Sequence, residues 1–204
     1  MSGIFICSDY TDYYDVLHDN KSDIKYVRKM SNSMQRGKAL KYLRELGIKT
    51  IETKSVRDAF PYYDKLVVYT DPKGHNGKGK KIMKSDKAIR EYENYLCSPF
   101  YETDGTTIKY LQIGDKRITL QYYKDDTESL EQGTIIDISQ STPEYNMLIG
   151  LPIFSIDYIN INGIMTATDF NEVENLSKIG IDKYFNASEI IDIIQKSLIK
   201  YNKA

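Results

Sequence analysis

Phe154–Asn171 reads FSIDYININGIMTATDFN. Two apolar-rich runs, FSIDYI and IMTATDF, flank Asn162-Gly163, and an Asn-Gly pair supplies the positive φ angles of a two-residue hairpin loop. The stretch therefore predicts two antiparallel strands joined by a tight turn. Oxygen-bearing side chains sit toward its open end: Asp157 on the first strand, Asp169 and Asn171 on the second. Asp169 and Asn171 alternate onto one strand face, and the hairpin folds Asp157 back beside them. Two carboxylates and an amide oxygen in one place suit Mg²⁺, a hard cation that usually shares its shell with substrate phosphates. On the hairpin alone, an ordinary turn with solvated polar ends reads equally well.

The rest of the chain sets the frame. With 204 residues, 41% hydrophobic and 28% charged, the sequence suits one medium domain or two small lobes with a buried core. No run approaches the roughly 18 apolar residues of a membrane span. The first residues, MSGIFICSDYTDYYD, lack a basic leader and turn acidic at once, so a cytoplasmic protein is expected. Cys7 and Cys97 each lie in an apolar run and read as buried free thiols. A net charge of -1 gives no global attraction to nucleic acid or membrane.

Apolar residues at Met34, Ala39, Leu40, Leu43 and Leu46 recur at helical spacing, and Gly47 is placed to end that helix. A strand follows at Lys49–Glu52, Ser55–Phe60 reads as a link, and Lys65–Thr70 (KLVVYT) is a strong strand. Ser85 is expected to cap a helix running to about Leu96, with Ala88, Ile89, Tyr92 and Leu96 on one face. Thr106–Ile113 and Arg117–Tyr123 alternate around Gly114-Asp115 as a second hairpin, and Thr134–Ser139 is another strand. A short helix is expected from Thr142-Pro143 and a last amphipathic one from Ser188 to about Ile199. Helices mixed with antiparallel hairpins indicate an α+β fold.

Asp71–Lys81, DPKGHNGKGKK, reads as an irregular loop after a strand. Its glycines would let backbone N–H groups approach phosphates, and Lys73, Lys78, Lys80 and Lys81 would neutralise their charge. The string Gly74-x4-Gly79-Lys80 resembles a P-loop, but Lys81 stands where Ser or Thr must hold the metal. A solvated surface loop is the plain alternative. A nucleic-acid contact over Lys73–Lys87 is a third, disfavoured because the stretch has no interleaved aromatics and the chain no matching patch. His18 and His75 have no Ser or Cys nucleophile in a recognisable context.

In order and spacing, these pieces resemble the ATP-grasp family. The Asp157 to Asp169-Phe170-Asn171 interval is similar to that of the ribosomal-protein glutamate ligase branch. KLVVYT followed by Gly74-His75-Asn76-Gly77-Lys78-Gly79 resembles the family's strand and glycine loop. Thr107-Ile108-Lys109-Tyr110 leading to Gly114-Asp115-Lys116 resembles its intervening hairpin, and MQRGKALKYLRELGIKTI its entry helix. The likeness runs over about Met34–Ile199. Thr70 stands where the family usually has a lysine, Lys109 where it has arginine, and Asp169 where glutamate is commoner.

The resemblance implies an ATP-grasp-like α+β fold of two small lobes sandwiching a nucleotide. By sequence, 1–33 would be a reduced N-terminal segment, 34–98 a small lobe with the glycine loop, and 99–204 the catalytic lobe. It implies an ATP- and Mg²⁺-dependent ligase that joins a carboxylate to an amine through an acyl-phosphate. Asp157, Asp169 and Asn171 would hold the metal. Lys73, Gly74, Gly77, Lys78, Gly79 and Lys80 would cover the phosphates, with Phe100 lining the adenine slot. Lys109 and Arg117 would stabilise the transferring phosphoryl group. The departures keep open a second reading, a degenerate nucleotide-binding or interaction protein without turnover. A small N-terminal segment also leaves room for a homodimer that completes the site.

Overall fold

In the computed structural model of this chain, residues 36–71, 79–113, 115–123, 133–140 and 153–171 are described, together with 184, 185, 189 and 192. They form two antiparallel sheets. The first contains β1 (Lys54–Ser55), β2 (Lys65–Tyr69), β3 (Lys80–Lys84) and β4 (Leu96–Pro99), in the order β1-β4-β2-β3. The second contains β5 (Thr106–Ile113), β6 (Lys116–Tyr123), β7 (Thr134–Gln140), β8 (Ile153–Ile161) and β9 (Ile164–Asn171), in the order β7-β6-β5-β8-β9. Helices α1 (Arg36–Glu45), α2 (Val56–Ala59) and α3 (Ser85–Tyr92) accompany them.

Helix α1 follows its sequence pattern. Ala39, Leu40 and Leu43 share one face and are buried. Gly47 ends the helix at φ 82°, where its N–H reaches Arg44 O at 3.0 Å and the Ile48 N–H reaches Leu43 O at 3.0 Å. The apolar face packs on Phe154, Ile156, Ala167 and Phe170 of the second sheet. Although α1 precedes the first sheet in the chain, its core partners lie in the second.

Four local expectations for the first sheet change. Ser55–Phe60 contains a helical turn, α2, because Ser55 caps it by accepting the Asp58 N–H at 3.1 Å. Lys80 and Lys81 belong to β3, not to a loop; β3 pairs with β2 from Tyr69↔Lys80 to Lys65↔Lys84. Ser85 is the first helical residue and not a cap, since its hydroxyl donates to Tyr63 O. Helix α3 ends at Tyr92, and Leu96 starts β4. The core here is Val56, Ala59, Leu66, Val68, Ala88 and Cys97.

In the second sheet, Asn162 (φ 52°) and Gly163 (φ 84°) make the expected two-residue turn between β8 and β9. Hairpin β5–β6 runs in unbroken register from Thr106↔Tyr123 to Ile113↔Lys116. Leu111, Ile113, Ile118 and Leu120 are buried on one of its faces. The segment expected as a strand at Lys49–Glu52 makes only a bridge: Ile51 N donates to Ala167 O at 2.9 Å, and Ala167 N donates to Lys49 O at 2.8 Å. No helix among the described residues is long and apolar enough to cross a membrane. Cys97 is buried with a free thiol, while Cys7, both histidines and the 142–144 helix start lie outside the described residues. Of the expected last helix only Glu189 and Asp192 are described, both helical.

Candidate active site

A two-residue turn at Asn162-Gly163 pairs Ile161 with Ile164, and regular pairing continues to Tyr158↔Ala167. One more regular step would set Asp157 against Thr168 and turn Asp169 to the other face of the sheet. Instead the register shifts, and the pairs become Asp157↔Asp169, Ile156↔Phe170 and Ser155↔Asn171. Thr168 is the extra residue of a β-bulge. That residue is what brings the two carboxylates and Asn171 onto one face.

Lys109 joins them from β5, directly opposite Asp157. Its ammonium lies 2.9 Å from Asp157 Oδ1 and 3.4 Å from Ser155 Oγ. Asn171 Nδ2 also approaches Ser155 Oγ, at 3.5 Å. Asp157 Oδ1 is buried and has no hydrogen bond of good geometry among the described residues; the nearby ammonium satisfies it by charge alone.

Arg36, at the start of α1, is the residue that sequence reasoning missed. Its Nη1 donates to the bulge carbonyl, Thr168 O, at 2.6 Å, and its Nη2 pairs with Asp169 Oδ2 at 2.8 Å. The guanidinium sits 4.8 Å above the Tyr69 ring of β2, so one side chain links the first sheet to the bulge in the second. Burial raises the Tyr69 hydroxyl above its ordinary pKa although Arg36 lowers it; the neutral phenol shares a 2.9 Å hydrogen bond with Ser98 Oγ. The available signal was a lone arginine at the start of an amphipathic helix otherwise read for its apolar face.

The other candidates fall in different places. Arg117 is opposite Gln112, an odd number of residues along β5 from Lys109. Arg117 and Lys109 therefore point to opposite faces of the sheet. Arg117 donates to Ser139 Oγ at 2.9 Å and pairs with Asp137 at 3.5 Å. The pairing of Arg117 with Lys109 on one phosphoryl group is thus corrected: strand parity separates them. Gly79, at φ 74°, closes the base of the glycine-lysine segment, its carbonyl accepting the Thr70 N–H at 2.7 Å and the Thr70 hydroxyl at 3.2 Å. Lys80 pairs with Tyr69, the residue beneath Arg36. Phe100 follows β4; its N–H donates to Lys65 O at 3.0 Å, and the Lys65 ammonium lies 4.0 Å above its ring. Lys73, Gly74, Gly77 and Lys78 lie outside the described residues.

The donor set fits a hard divalent cation. Among the described residues no three His, Cys, Asp or Glu side chains cluster. An ion here would take Asp157, Asp169 and the Asn171 amide oxygen, and complete its shell from water or an anionic substrate. The poorly satisfied Asp157 Oδ1 is the observation on which that fit rests. Arg36 and Lys109 beside it carry charge of the sign that phosphate oxygens need.

No protein-family model and no curated protein matches this chain. Solved structures do. The D-alanine–D-alanine ligase from Bacillus anthracis complexed with ATP superposes with TM-score 0.54 at 15% identity, over 83% of this chain and 67% of the ligase. The ATP-grasp ligase PsnB complexed with its minimal precursor gives TM-score 0.55 at 15% identity, over 81% of this chain and 60% of PsnB. The ADP complex of purK, an N5-carboxyaminoimidazole ribonucleotide synthetase, gives TM-score 0.55 at 11% identity, over 71% and 46%. The fold of this chain is the ATP-grasp fold. At these identities the likeness is one of fold and does not single out the ribosomal-protein glutamate ligase branch. The chain matches between 46% and 67% of the length of these three proteins.

Proposed function

We propose that this chain is an ATP- and Mg²⁺-dependent ligase that joins a carboxylate to an amine. The observation that carries the reading is the bulged β8–β9 hairpin, which sets Asp157, Asp169 and Asn171 on one face with Lys109 and Arg36 against them, in an ATP-grasp fold. In the proposed reaction the substrate carboxylate attacks the γ-phosphorus of ATP, and ADP leaves. The amine then attacks the acyl carbon, loses a proton, and inorganic phosphate departs.

A bound Mg²⁺ would neutralise charge on the phosphate oxygens. The protein's part is positioning and electrostatics, with no protein nucleophile. Asp157, Asp169 and Asn171 hold the metal. Lys109 donates to the transferring phosphoryl group. Arg36, held by Thr168 O and Asp169, adds positive charge beside the polyphosphate. Phe100, with Lys65 on one side of its ring, is assigned to the adenine. The glycine-lysine stretch 73–80 is assigned to the polyphosphate on its sequence chemistry.

The test is calorimetric titration of ATP, with and without Mg²⁺, into wild type and Asp169→Ala/Asn171→Ala. Mg²⁺-dependent binding that the double substitution abolishes supports the site, and no binding to wild type under either condition overturns it. A second reading, a nucleotide-binding protein without turnover, is favoured by Thr70, whose hydroxyl is used at the loop base where the family carries a lysine. ADP release on screening amino acids and peptides as substrates separates the two.

A further inference from the structure

Each carboxylate of the candidate metal pair already carries a basic partner. Lys109 of β5 holds Asp157 of β8 at 2.9 Å, and Arg36 of α1 holds Asp169 of β9 at 2.8 Å. The Lys109 and Arg36 side chains are only 12% and 15% exposed, so water screens these pairs poorly. The four formal charges cancel. Within this group of four described side chains, a divalent cation meets two positive charges as well as two negative ones. An ammonium 2.9 Å from Asp157 Oδ1 also takes up space that a cation at about 2.0–2.1 Å would need.

We propose that Lys109, assisted by Arg36, keeps a divalent cation off the carboxylate pair until a polyphosphate arrives. This rests on the nucleotide and metal site proposed above and adds an order of binding to it. A polyphosphate is a stronger acceptor than one carboxylate and draws the Lys109 ammonium from Asp157. Asp157 and Asp169 then regain net negative charge, and the cation enters between them and the phosphates. Cation and polyphosphate sites are thereby coupled through the protein, beyond the affinity the two have for each other in solution.

The test uses Mn²⁺ alone as probe, with bound metal followed by electron paramagnetic resonance on wild type, Lys109→Met, Lys109→Arg and Lys109→Met/Asp157→Asn. Removing the lysine charge is expected to tighten binding of Mn²⁺ alone by about tenfold. Lys109→Arg is expected to exclude the ion as wild type does, and the double variant to lose the gain. Equal Mn²⁺ affinity in wild type and Lys109→Met, whether strong or undetectable, overturns the proposal. Should Lys109→Met not fold, wild type carries the test by NMR. The Asn171 side-chain amide should broaden with Mn²⁺ plus ATP and not at the same free Mn²⁺ alone; broadening under both conditions overturns it. Titrating ATP both without metal and with Mg²⁺ separates the two claims; ordered entry expects some metal-free binding, tightened by Mg²⁺. If no nucleotide binds while the Mn²⁺ pattern holds, the ligase reading falls and the exclusion stands. If nucleotide binds while Lys109→Met leaves Mn²⁺ affinity unchanged, the reverse is true.

Discussion

Asp157 and Asp169 face each other across β8 and β9 because Thr168 is bulged out between Asp169 and Ala167. The Thr168 hydroxyl donates to Asp157 O at 3.2 Å, and its carbonyl accepts from Arg36. Deleting Thr168 removes the extra residue and lets the regular hairpin register pair Asp157 with Asp169 directly. The deletion is therefore expected to keep uptake of Mn²⁺ with ADP, measured by calorimetry, while lowering stability to urea. Loss of uptake by a folded deletion variant would mean that the bulge does more than set the facing.

Arg36 satisfies a bulge carbonyl and a half-buried carboxylate at once. Truncation to alanine leaves both without that partner, and hydrogen bonds involving charged groups contribute about 1.5–3 kcal/mol each. Arg36→Ala is expected to cost about 2–3 kcal/mol in urea unfolding, allowing for residual exposure. Arg36→Lys should recover only part, since one ammonium cannot reproduce the two-pronged contact.

The packing of α1 on the second sheet depends on Leu40 and Leu43, both fully buried. Leu40→Ala is expected to cost about 2–5 kcal/mol through lost transfer free energy and the cavity left behind. By contrast, Ile164→Ala, at a position 49% exposed beside the Asn162-Gly163 turn, should stay within about 0.5 kcal/mol. Equal effects at the two sites in urea melts would contradict the packing described.

Gly79 needs its missing side chain twice over. Its φ of 74° is unfavourable for other residues, and a Cβ there would lie 2.4 Å from Asp71 Cβ and 3.0 Å from the Asp71 nitrogen. Gly79→Ala is expected to destabilise by roughly 1–3 kcal/mol. Because Gly79 closes the glycine-lysine segment, the same variant should bind ATP more weakly.

Burial pushes the Cys97 thiol up to about 11. The unfolded chain ionises first as pH rises. The contribution of this group to stability is complete below its unfolded value, near 9, and is lost as pH climbs toward 11. In a Cys7→Ser background, Cys97 should resist thiol-specific reagents at pH 8 until urea unfolds the protein. Rapid modification of the native protein would show that it is accessible.

Much of this protein was legible in its residues because the signals were local. The Asn162-Gly163 turn demands positive φ and received it, the 106–123 hairpin kept its alternating register, and the helix before Gly47 buries Leu40 and Leu43, two of the three leucines its spacing named. Expectations failed where a nearby group outcompeted a local rule. Ser85 gave its hydroxyl to Tyr63 O in place of a cap, and Leu96, in phase with a helix, pairs in β4 with Ser55. The active face depended on contacts that no window of sequence contains. Alternation placed Asp169 and Asn171 together, but only the bulge at Thr168 decided that Asp157 shares their side, and strand parity across β5 and β6 turned Arg117 away. Arg36 meets Asp169 across 133 residues of chain. Local periodicity determines which segments become strands and helices; register shifts and long-range ion pairs are settled when those segments pack, because burial and charge satisfaction are properties of the assembled fold.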